Sequence, residues 1–298
     1  MEFRTLRAFV EVVRQQGFSQ AAKVVFATQS TVSKAVKQLE DEIGAPLLDR
    51  IGHRTRLTPL GEVVYPRAVK LLADRADLLA EIDEVRGLKR GTLRLGLPPV
   101  ASSSIFGPLV ARFRALYPGL EIKLTEHGGD ELTNLVRSGE LELAASLMPG
   151  FDDLEWQDVR REPLVAVLRA DHPLARAGAV DVNALRDIPF LLFSEGFGIN
   201  RLILAACGRH GFEPEVAARS SQVDFLLELA NEGLGVAFVP RMLAEPARRA
   251  GLGTPILAEA ETEWRLTMIW RRGAYLSHAA RAWLDLVDAS ARSNSSFD

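Results

Sequence analysis

The side chains of residues 31–38 have the types and spacing of a surface that could bind nucleic acid. At helical spacing, hydroxyl, amide and ammonium groups share one face of this segment, and apolar groups share the other. Hydroxyls and amides can hydrogen-bond base edges, and lysines can neutralise phosphates. An ordinary solvated helix face is the alternative. The polar face consists of Thr31, Ser33, Lys34, Lys37 and Gln38, and the apolar face of Val32, Val36, Leu39 and Ile43.

A second group of polar side chains, spread over residues 102–222, could bind a small molecule. Each follows a predicted strand or begins a predicted helix, which is where ligands of open α/β sheets bind. Helix N-termini and hydroxyls can hold an anion, so we expect a small organic acid; Glu195 would instead favour a hydroxylated, amino or protonated ligand. Each serine could also serve only as a helix cap. The group consists of Ser102, Ser103, His127, Ser146, Ser194, Glu195 and Gln222.

Few residues have the pattern of a catalytic or metal site. Cys207 is the single cysteine, so no intrachain disulfide and no thiolate cluster can form. The five histidines are scattered, and no pair has the i, i+4 spacing of a helical metal site. The sequence also lacks G-x-S-x-G, P-loop and G-x-G-x-x-G motifs. We therefore predict no catalytic residue, no metal and no cofactor.

Composition is that of an ordinary globular protein. Of 298 residues, 47% are hydrophobic and 25% are charged, and this length suits two or three compact units. No run approaches the roughly 18 apolar residues of a membrane span, and residues 1–14 carry charges throughout, unlike a secretion signal. We therefore expect a cytoplasmic protein with no membrane partner. Residues 1–60 contain nine Lys/Arg and six Asp/Glu, whereas the whole chain has a net charge of −3.

Three helices and a tight turn are predicted over residues 2–43. Gly17 and Ser19 are a typical stop for the first helix and a typical N-cap for the second. A turn then leads into the third helix, for which Ser30 or Thr31 is the expected cap. Because this third helix carries the polar face, the arrangement is that of a helix-turn-helix.

A long helix is predicted next, because Thr58 and Pro59 form an N-cap with proline at the first helical position. Apolar residues then step by four and three, as in a coiled-coil seam; packing of this stripe on its own domain is the alternative. Pro66 should kink the helix or make it start late, and residues 87–91 are a predicted hinge. The residues expected to contact a second subunit are Val64, Leu71, Leu78, Ile82 and Val85.

From residue 91 onward, short β-rich runs alternate with helical stretches, a pattern typical of parallel βαβ units. Two α/β lobes are expected, the first completed by the end of the chain. Predicted strands cover residues 92–97, 120–126, 141–147, 164–169, 190–193, 216–220, 236–239 and 264–270. Predicted helices cover residues 104–117, 131–138, 199–210, 223–232 and 278–290.

A specific run of residue types extends over positions 21–61. It consists of Ala21-Ala22, Gln29, Val32-Ser33, Leu39-Glu40, Gly44, Leu47, Arg50, Leu57-Thr58 and Gly61. This run resembles the signature of LysR-type transcriptional regulators. Three weaker runs fit the same family in the right order: RLGLPP at 94–99, LYPGLEI at 116–122 and EGLGVAFVP at 232–240. Ser30 stands where many relatives have proline, and Leu48 where phenylalanine is common.

The resemblance implies an α/β fold overall, with an N-terminal all-α winged helix-turn-helix, a long linker helix and a two-lobed periplasmic-binding-protein-like domain. In this family the third helix enters the major groove, and a hairpin wing, here residues 50–56, lies along the flanking backbone or minor groove. By position, the DNA-binding residues would be Gln29, Ser30, Thr31, Ser33, Lys34, Lys37, His53, Arg54 and Arg56. The implied divisions are 1–58 for the DNA-binding domain, 59–90 for the linker (dimerisation) helix and hinge, and 91–298 for the effector-binding domain, with lobe I at 91–161 and 265–298 and lobe II at 162–264.

The same resemblance implies a regulator that is not an enzyme. Such a protein binds an imperfect inverted repeat in double-stranded promoter DNA as a dimer or a homotetramer, responds to a small-molecule effector between the lobes, and has RNA polymerase as a further partner. A solute-binding protein or an enzyme built on the two-lobed domain is the alternative. A redox sensor would need a partner for Cys207, whose apolar helical neighbours instead predict a buried structural thiol.

Overall fold

The computed structural model describes residues 1–51, 54–85, 91–147 and 152–294. Contacts between Cα atoms divide the chain into two compact units. The predicted hinge lies outside the described residues except for Gly91. The first unit comprises Met1–Leu88 with Arg137–Glu140, and the second comprises Lys89–Val136 with Leu141–Asp298.

The first unit consists of three short helices, a two-stranded hairpin and one long helix. Its elements are α1 (Phe3–Arg14), α2 (Phe18–Val24), α3 (Gln29–Ile43), β1 (Leu48–Ile51), β2 (Arg54–Leu57) and α4 (Pro59–Val85). The strands β1 and β2 pair antiparallel, with Leu48 opposite Leu57. The predicted winged helix-turn-helix is therefore confirmed, with the wing at the expected place in the chain.

Apolar residues at helical spacing place the core of this unit between α1, α2 and α3. Phe9 and Val10 of α1 and Leu39 of α3 are fully buried. The small residues Ala21 and Ala22 of α2 are also buried, so their methyl groups let the neighbouring helices approach closely. This packing fixes which face of α3 is left on the surface.

The cap of α3 differs from the sequence prediction. Its N-cap is Thr28, which has an extended backbone and whose Oγ1 accepts a hydrogen bond from the backbone N–H of Thr31 at 3.2 Å. Ser30 already lies inside the helix, and an N-cap must have a non-helical backbone. The prediction of Ser30 or Thr31 as the cap is therefore wrong by two or three residues.

The structure corrects one sequence prediction at the start of α2 and one at the start of α4. Helix α2 begins directly after Gly17, so Ser19 lies within the helix and does not cap it. Helix α4 has the predicted cap, because the Thr58 hydroxyl accepts a hydrogen bond from the N–H of Gly61 at 3.0 Å. The helix then continues through Pro66, so the predicted alternative of a late start is wrong.

Eleven described strands form two sheets in the second unit. The first sheet contains β3 (Gly91–Leu97), β4 (Leu120–Glu126), β5 (Leu143–Leu147), β6 (Leu154–Glu162) and β13 (Trp264–Arg271) in the order β4-β3-β5-β13-β6. The second contains β7 (Leu164–Val167), β8 (Ala179–Val180), β9 (Phe190–Phe193), β10 (Val216–Ser220), β11 (Val236–Pro240) and β12 (Ile256–Leu257) in the order β10-β9-β11-β7-β12-β8. We call the five-stranded sheet with its helices the first lobe, and the six-stranded sheet with its helices the second lobe.

The predicted parallel units are confirmed, but each sheet also contains antiparallel strands and is therefore mixed. Strands β3, β4 and β5 pair parallel, as do β9, β10 and β11. Strand β13 lies antiparallel between β5 and β6, so the C-terminal part of the chain contributes a strand to the first sheet. Strand β7 is likewise antiparallel to β11. Strand β6 was missing from the sequence prediction because charged and polar residues fill its centre.

Helices flank both sheets and bring polar side chains to their ends. Where one helix was predicted over residues 104–117, the chain instead makes a short helical turn, a π-helical turn at Ser102–Phe106 and then α6. No helix within the described ranges is long and apolar enough to cross a membrane. The helices are α5 (Pro99–Ala101), α6 (Gly107–Leu116), α7 (Gly129–Ser138), α8 (Gly198–Arg209), α9 (Val223–Asn231), α10 (Glu245–Arg249) and α11 (His278–Asn294).

Candidate nucleic-acid interface and ligand cleft

Helix α3 presents a polar face to solvent because its apolar face is held in the core. Val32, Val36 and Leu39 are at most 2% exposed, which fixes the rotation of the helix about its axis. Ser33 is half-buried beside them. The predicted base-proximal and phosphate-proximal residues that are exposed on this helix are Gln29, Ser30, Thr31, Lys34 and Lys37.

Hydroxyl groups order the N-terminal end of α3. The Oγ1 atom of Thr28 lies 2.9 Å from the Ser30 hydroxyl and 2.8 Å from the Thr31 hydroxyl. The Ser19 hydroxyl donates to the side-chain oxygen of Gln29 at 3.2 Å. Ser19 and Thr28 therefore position residues that the sequence assigned to base contacts, a role that sequence reasoning missed because it treated Ser19 only as a helix cap.

The cations of this surface are available to bind phosphates. Neither Lys34 nor Lys37 has a carboxylate partner among the described residues, and both side chains are exposed. In the hairpin, Arg56 is exposed, whereas only the backbone of Arg54 is described and His53 lies outside the described residues. Unpaired lysines on a helix face and an arginine on an adjacent hairpin can contact the backbone of a DNA duplex.

The exposed stripe on α4 covers only part of the predicted contact with a second subunit. Leu71, Leu78 and Ile82 are 41%, 56% and 38% exposed. Val64, in contrast, packs partly buried against the core of its own unit. The side chain of Val85 lies outside the described residues. The second half of α4 therefore presents apolar side chains to solvent at the spacing of a helix–helix seam.

The first of two cavities in the second unit is small, and we call it the smaller cavity. It has a volume of about 30 Å³ and is lined by residues of both lobes. Ser146 lines it, is 4% exposed, and has its hydroxyl oxygen 3.4 Å from the hydroxyl of Thr133. The remaining lining residues are Pro98, Val100, Gly129, Leu147, Phe197, Gly198, Ile199, Arg201, Trp264 and Leu266.

The second cavity is larger and open, and it meets the first at Val100, which lines both. Its volume is about 440 Å³. Ser103 from the π-helical turn and Gln222, the N-cap of α9, line it from the two lobes. Asp224 contributes a carboxylate. Together we call the two cavities the interlobe cleft.

The other predicted ligand residues do not line either cavity. The Ser102 hydroxyl donates to the carbonyl of Pro98 at 3.0 Å. The carbonyl of Ser194 accepts a hydrogen bond from the Asn200 side chain at 3.1 Å. His127 and Glu195 are exposed. The structure therefore brings Ser103, Gln222 and Ser146 to the interlobe cleft and leaves the other four outside its lining.

The two lobes touch beside the smaller cavity through glycines. A Cβ atom added to Gly128 would lie 2.9 Å from the carbonyl oxygen of Gly196, which is closer than side chains pack. The backbone N–H of Asp130 donates to the same carbonyl at 3.3 Å, and its carboxylate pairs with the guanidinium of Arg201 in the other lobe. Sequence reasoning missed this pair, because 71 residues separate its members.

Cys207 has the environment of a structural thiol. It is 1% exposed, and burial raises the pKa of its thiol from an ordinary value of 9.0 to about 11. The thiolate is the reactive species, so little reactive sulfur is present near neutral pH. In the described part of the chain, no three His, Cys, Asp or Glu side chains are grouped as metal ligands.

Comparison with known proteins agrees with this geometry over nearly the whole chain. The model described as "Bacterial regulatory helix-turn-helix protein, lysR family" matches residues 3–62. The model described as "LysR substrate binding domain" matches residues 86–292. A protein named "Uncharacterized HTH-type transcriptional regulator YwbI", from Bacillus subtilis, is 32% identical over 286 residues, which cover 96% of this chain and 95% of that protein.

Solved structures share this fold over nearly the whole chain. Full-length OxyR from Pseudomonas aeruginosa has a TM-score of 0.73 at 24% identity, covering 96% of this chain and 94% of that chain. Full-length CbnR complexed with its target DNA has a TM-score of 0.65 at 20% identity, covering 97% of this chain and all of that chain. With both family models matched in sequence order, this chain belongs to the LysR family of DNA-binding transcription regulators with an effector-binding domain.

Proposed function

We propose that this regulator reads promoter DNA with the polar face of α3 and the β1–β2 hairpin. The observation that carries the proposal is the exposed face of α3, on which hydroxyls, an amide and two lysines lie without a carboxylate partner among the described residues. Base edges would be contacted by Gln29, Ser30, Thr31, Ser33 and Lys34, and the backbone by Lys34, Lys37 and Arg54 with Arg56, with His53 on the wing.

Two copies of the chain would bind one imperfect inverted repeat, because a two-fold dimer matches a two-fold operator. The exposed apolar stripe of Leu71, Leu78 and Ile82 supports pairing through α4. A tetramer of two such pairs would engage two repeats beside a promoter, with RNA polymerase as a neighbour, in the cytoplasm. We keep 1–58, 59–90 and 91–298 as the proposed domain boundaries, with lobe I at 91–161 and 265–298 and lobe II at 162–264.

The effector we propose is a small organic acid bound in the interlobe cleft. Two helix N-termini open onto the smaller cavity, and helix N-termini favour anions. Glu195 does not line either cavity, and Asp224, the one carboxylate among the lining residues, lines the larger cavity and not the smaller one. Effector binding would change the angle between the lobes, and with it the spacing of the paired DNA-binding units and the bend of the DNA.

A role in transcription regulation explains why the chain has both units better than catalysis or solute transport does. The relatives are named transcriptional regulators, and a DNA-reading unit has no use in a solute-binding protein. Turnover of any small acid by the purified chain would contradict this assignment.

A thermal-shift screen of the full chain against small organic acids, amino acids and aromatic metabolites tests the effector class. A ligand at about one hundred times its Kd should stabilise the folded state by roughly 2.7 kcal/mol. Stabilisation by acids, reduced in both Ser146→Ala and Gln222→Ala, would support the cleft. Stabilisation that is unchanged in both variants would remove the effector from this cleft, and a response to amines or sugars alone would replace the acid class.

A further inference from the structure

Positive charge reaches the smaller cavity from both lobes. Helix α7 begins at Gly129 and α8 at Gly198, and both glycines line the cavity. The first N–H groups of a helix lack partners within the helix, and its N-terminus carries a partial positive charge. Arg201, in the first turn of α8, is the one ionisable side chain among the residues that line this cavity.

One carboxylate of the protein pairs with this positive charge. Asp130 lies in the first turn of α7, and its carboxylate pairs with Arg201 across the two lobes. Its backbone N–H also donates to the carbonyl of Gly196 at 3.3 Å. The Asp130 side chain therefore occupies, at the edge of the cavity, the electrostatic position that an anion would take.

We propose that Arg201 recognises the acid group of the effector and that Asp130 is the carboxylate from which Arg201 is released when the effector binds. This inference rests on the proposed effector function. The smaller cavity has a volume of about 30 Å³, far below the roughly 300–1,000 Å³ of a typical ligand pocket, so the lobes would separate at the Gly128–Gly196 contact to admit a ligand. Separation takes Asp130 and Arg201, which belong to different lobes, away from each other.

The cavity lining specifies the kind of acid. Apart from Arg201 and the hydroxyl of Ser146, its lining side chains are apolar, including Phe197 and Trp264. A second carboxylate would find no second cation among these residues, and burying an unpaired charge is costly. The effector is therefore a monocarboxylate with an apolar body, such as an aromatic or short-chain aliphatic acid.

An ion pair that only holds the two lobes together, which we call a latch, would respond to substitution differently from an arginine that recognises an anion. Asp130 and Arg201 are 51% and 59% exposed, and exposed pairs contribute little to stability. If the pair only held the lobes together, removing either partner would change ligand affinity in the same direction. If Arg201 binds the effector, removing Asp130 frees it and removing Arg201 destroys the site, so the two substitutions act in opposite directions.

The experiment measures the affinity of the full chain for benzoate and for butyrate by calorimetry, with benzamide as the uncharged counterpart. The variants are Asp130→Asn, Arg201→Gln and, as a matched control at the other end of α8, Arg209→Gln. We expect Asp130→Asn to bind the acids up to about fivefold more tightly, the size of an exposed ion pair. Arg201→Gln should bind the acids at least about tenfold more weakly. Arg209→Gln should bind them as tightly as the unchanged chain does. No measurable binding of benzamide is expected for the unchanged chain or for any variant.

Every other pattern overturns the inference. Equal changes in Asp130→Asn and Arg201→Gln would identify a latch, and acid binding that is unaltered in Arg201→Gln would leave the acid class standing without this residue. Binding of benzamide as tight as that of benzoate would exclude anion recognition. If neither acid binds the unchanged chain, the monocarboxylate class fails, whereas the DNA-binding part of the proposed function is judged separately by its own selection experiment.

Discussion

Lys34 and Lys37 lie one turn apart on the exposed face of α3, and we expect them to have different partners on DNA. Lys34 is close to the N-terminal end of the helix, which enters the major groove in the proposed complex, whereas Lys37 lies further along. Replacing Lys34 by Ala should therefore weaken binding to the specific site by about 1–3 kcal/mol and leave non-specific binding less affected.

The matched control is Lys37→Ala, which removes a phosphate contact. This variant should weaken binding to all sequences alike and reduce the slope of log affinity against log salt by about one. Fluorescence anisotropy with specific and scrambled duplexes across a salt series measures both quantities. Equal losses on both duplexes for Lys34→Ala would show that Lys34 contacts phosphate and not a base.

Cys207 should react only slowly with thiol reagents in the folded protein. Burial raises the pKa of its thiol to about 11, so dithionitrobenzoate should react slowly at about pH 8 and label one thiol only after unfolding in urea. The folded state holds this proton more tightly than the unfolded state. Below pH 9.0, the ordinary pKa of the thiol in the unfolded chain, this group therefore leaves the free energy of unfolding unchanged. As the pH rises from 9.0 towards 11, the free energy of unfolding falls. Rapid labelling of the native chain would restore the redox-sensor alternative.

Residue types alone located part of the lining of the interlobe cleft, which is the proposed ligand site. Ser146, Ser103 and Gln222 could be predicted to lie there because residues at strand ends and helix starts meet at one edge of an α/β sheet. Arg201 could not be predicted, because its proposed role depends on how the two lobes face each other. That arrangement is set by the glycine contact between the lobes and leaves no local pattern in the sequence.

At the scale of elements, α3 depends on its cap for both stability and the order of its DNA-reading end. Thr28→Ala removes the acceptor for the N–H of Thr31 and the hydroxyl near Ser30. We expect a loss of about 1 kcal/mol in the free energy of unfolding, measured by urea denaturation. Thr28→Ser keeps the hydroxyl and should restore most of the difference; an equal loss in Thr28→Ser would show that the methyl group, and not the cap, is responsible.

Helix positions were easier to predict than helix ends. Periodicity located α1 and α3, because burial of one face repeats over several turns. The cap of α3 was misplaced because Thr28, Ser30 and Thr31 all carry hydroxyls and only backbone geometry separates them. The π-helical turn at Ser102–Phe106 was missed because its residues are compatible with an ordinary helix.

The stripe on α4 makes a direct prediction about assembly. Leu78 is 56% exposed, so Leu78→Glu should cost little within one chain but should place charges in a helix–helix seam. Analytical ultracentrifugation should show dissociation of the dimer, and affinity for an inverted repeat should fall. Glu62→Lys, a charge change at an exposed position away from the stripe, is the control. A Leu78→Glu protein that stayed dimeric and bound DNA normally would refute the seam.

At the scale of the whole molecule, the alternation of strands and helices predicted two lobes, but local patterns could not give the direction of every strand. Strand β13 is antiparallel to both of its neighbours, and the chain returns to the first sheet with this strand after completing all six strands of the second. Local patterns carry no information about such long-range pairing. The function of the chain as a DNA-binding regulator depends on no single strand.

Selection from a library of random-sequence duplexes with the full chain is the most direct test of this function. We expect enrichment of an imperfect inverted repeat at physiological salt, with half-sites about one helical turn or a multiple of it apart. Lys34→Ala should still enrich the repeat but with relaxed preference at the base position that Lys34 contacts. Enrichment of no sequence, with equal affinity for every duplex, would contradict the account.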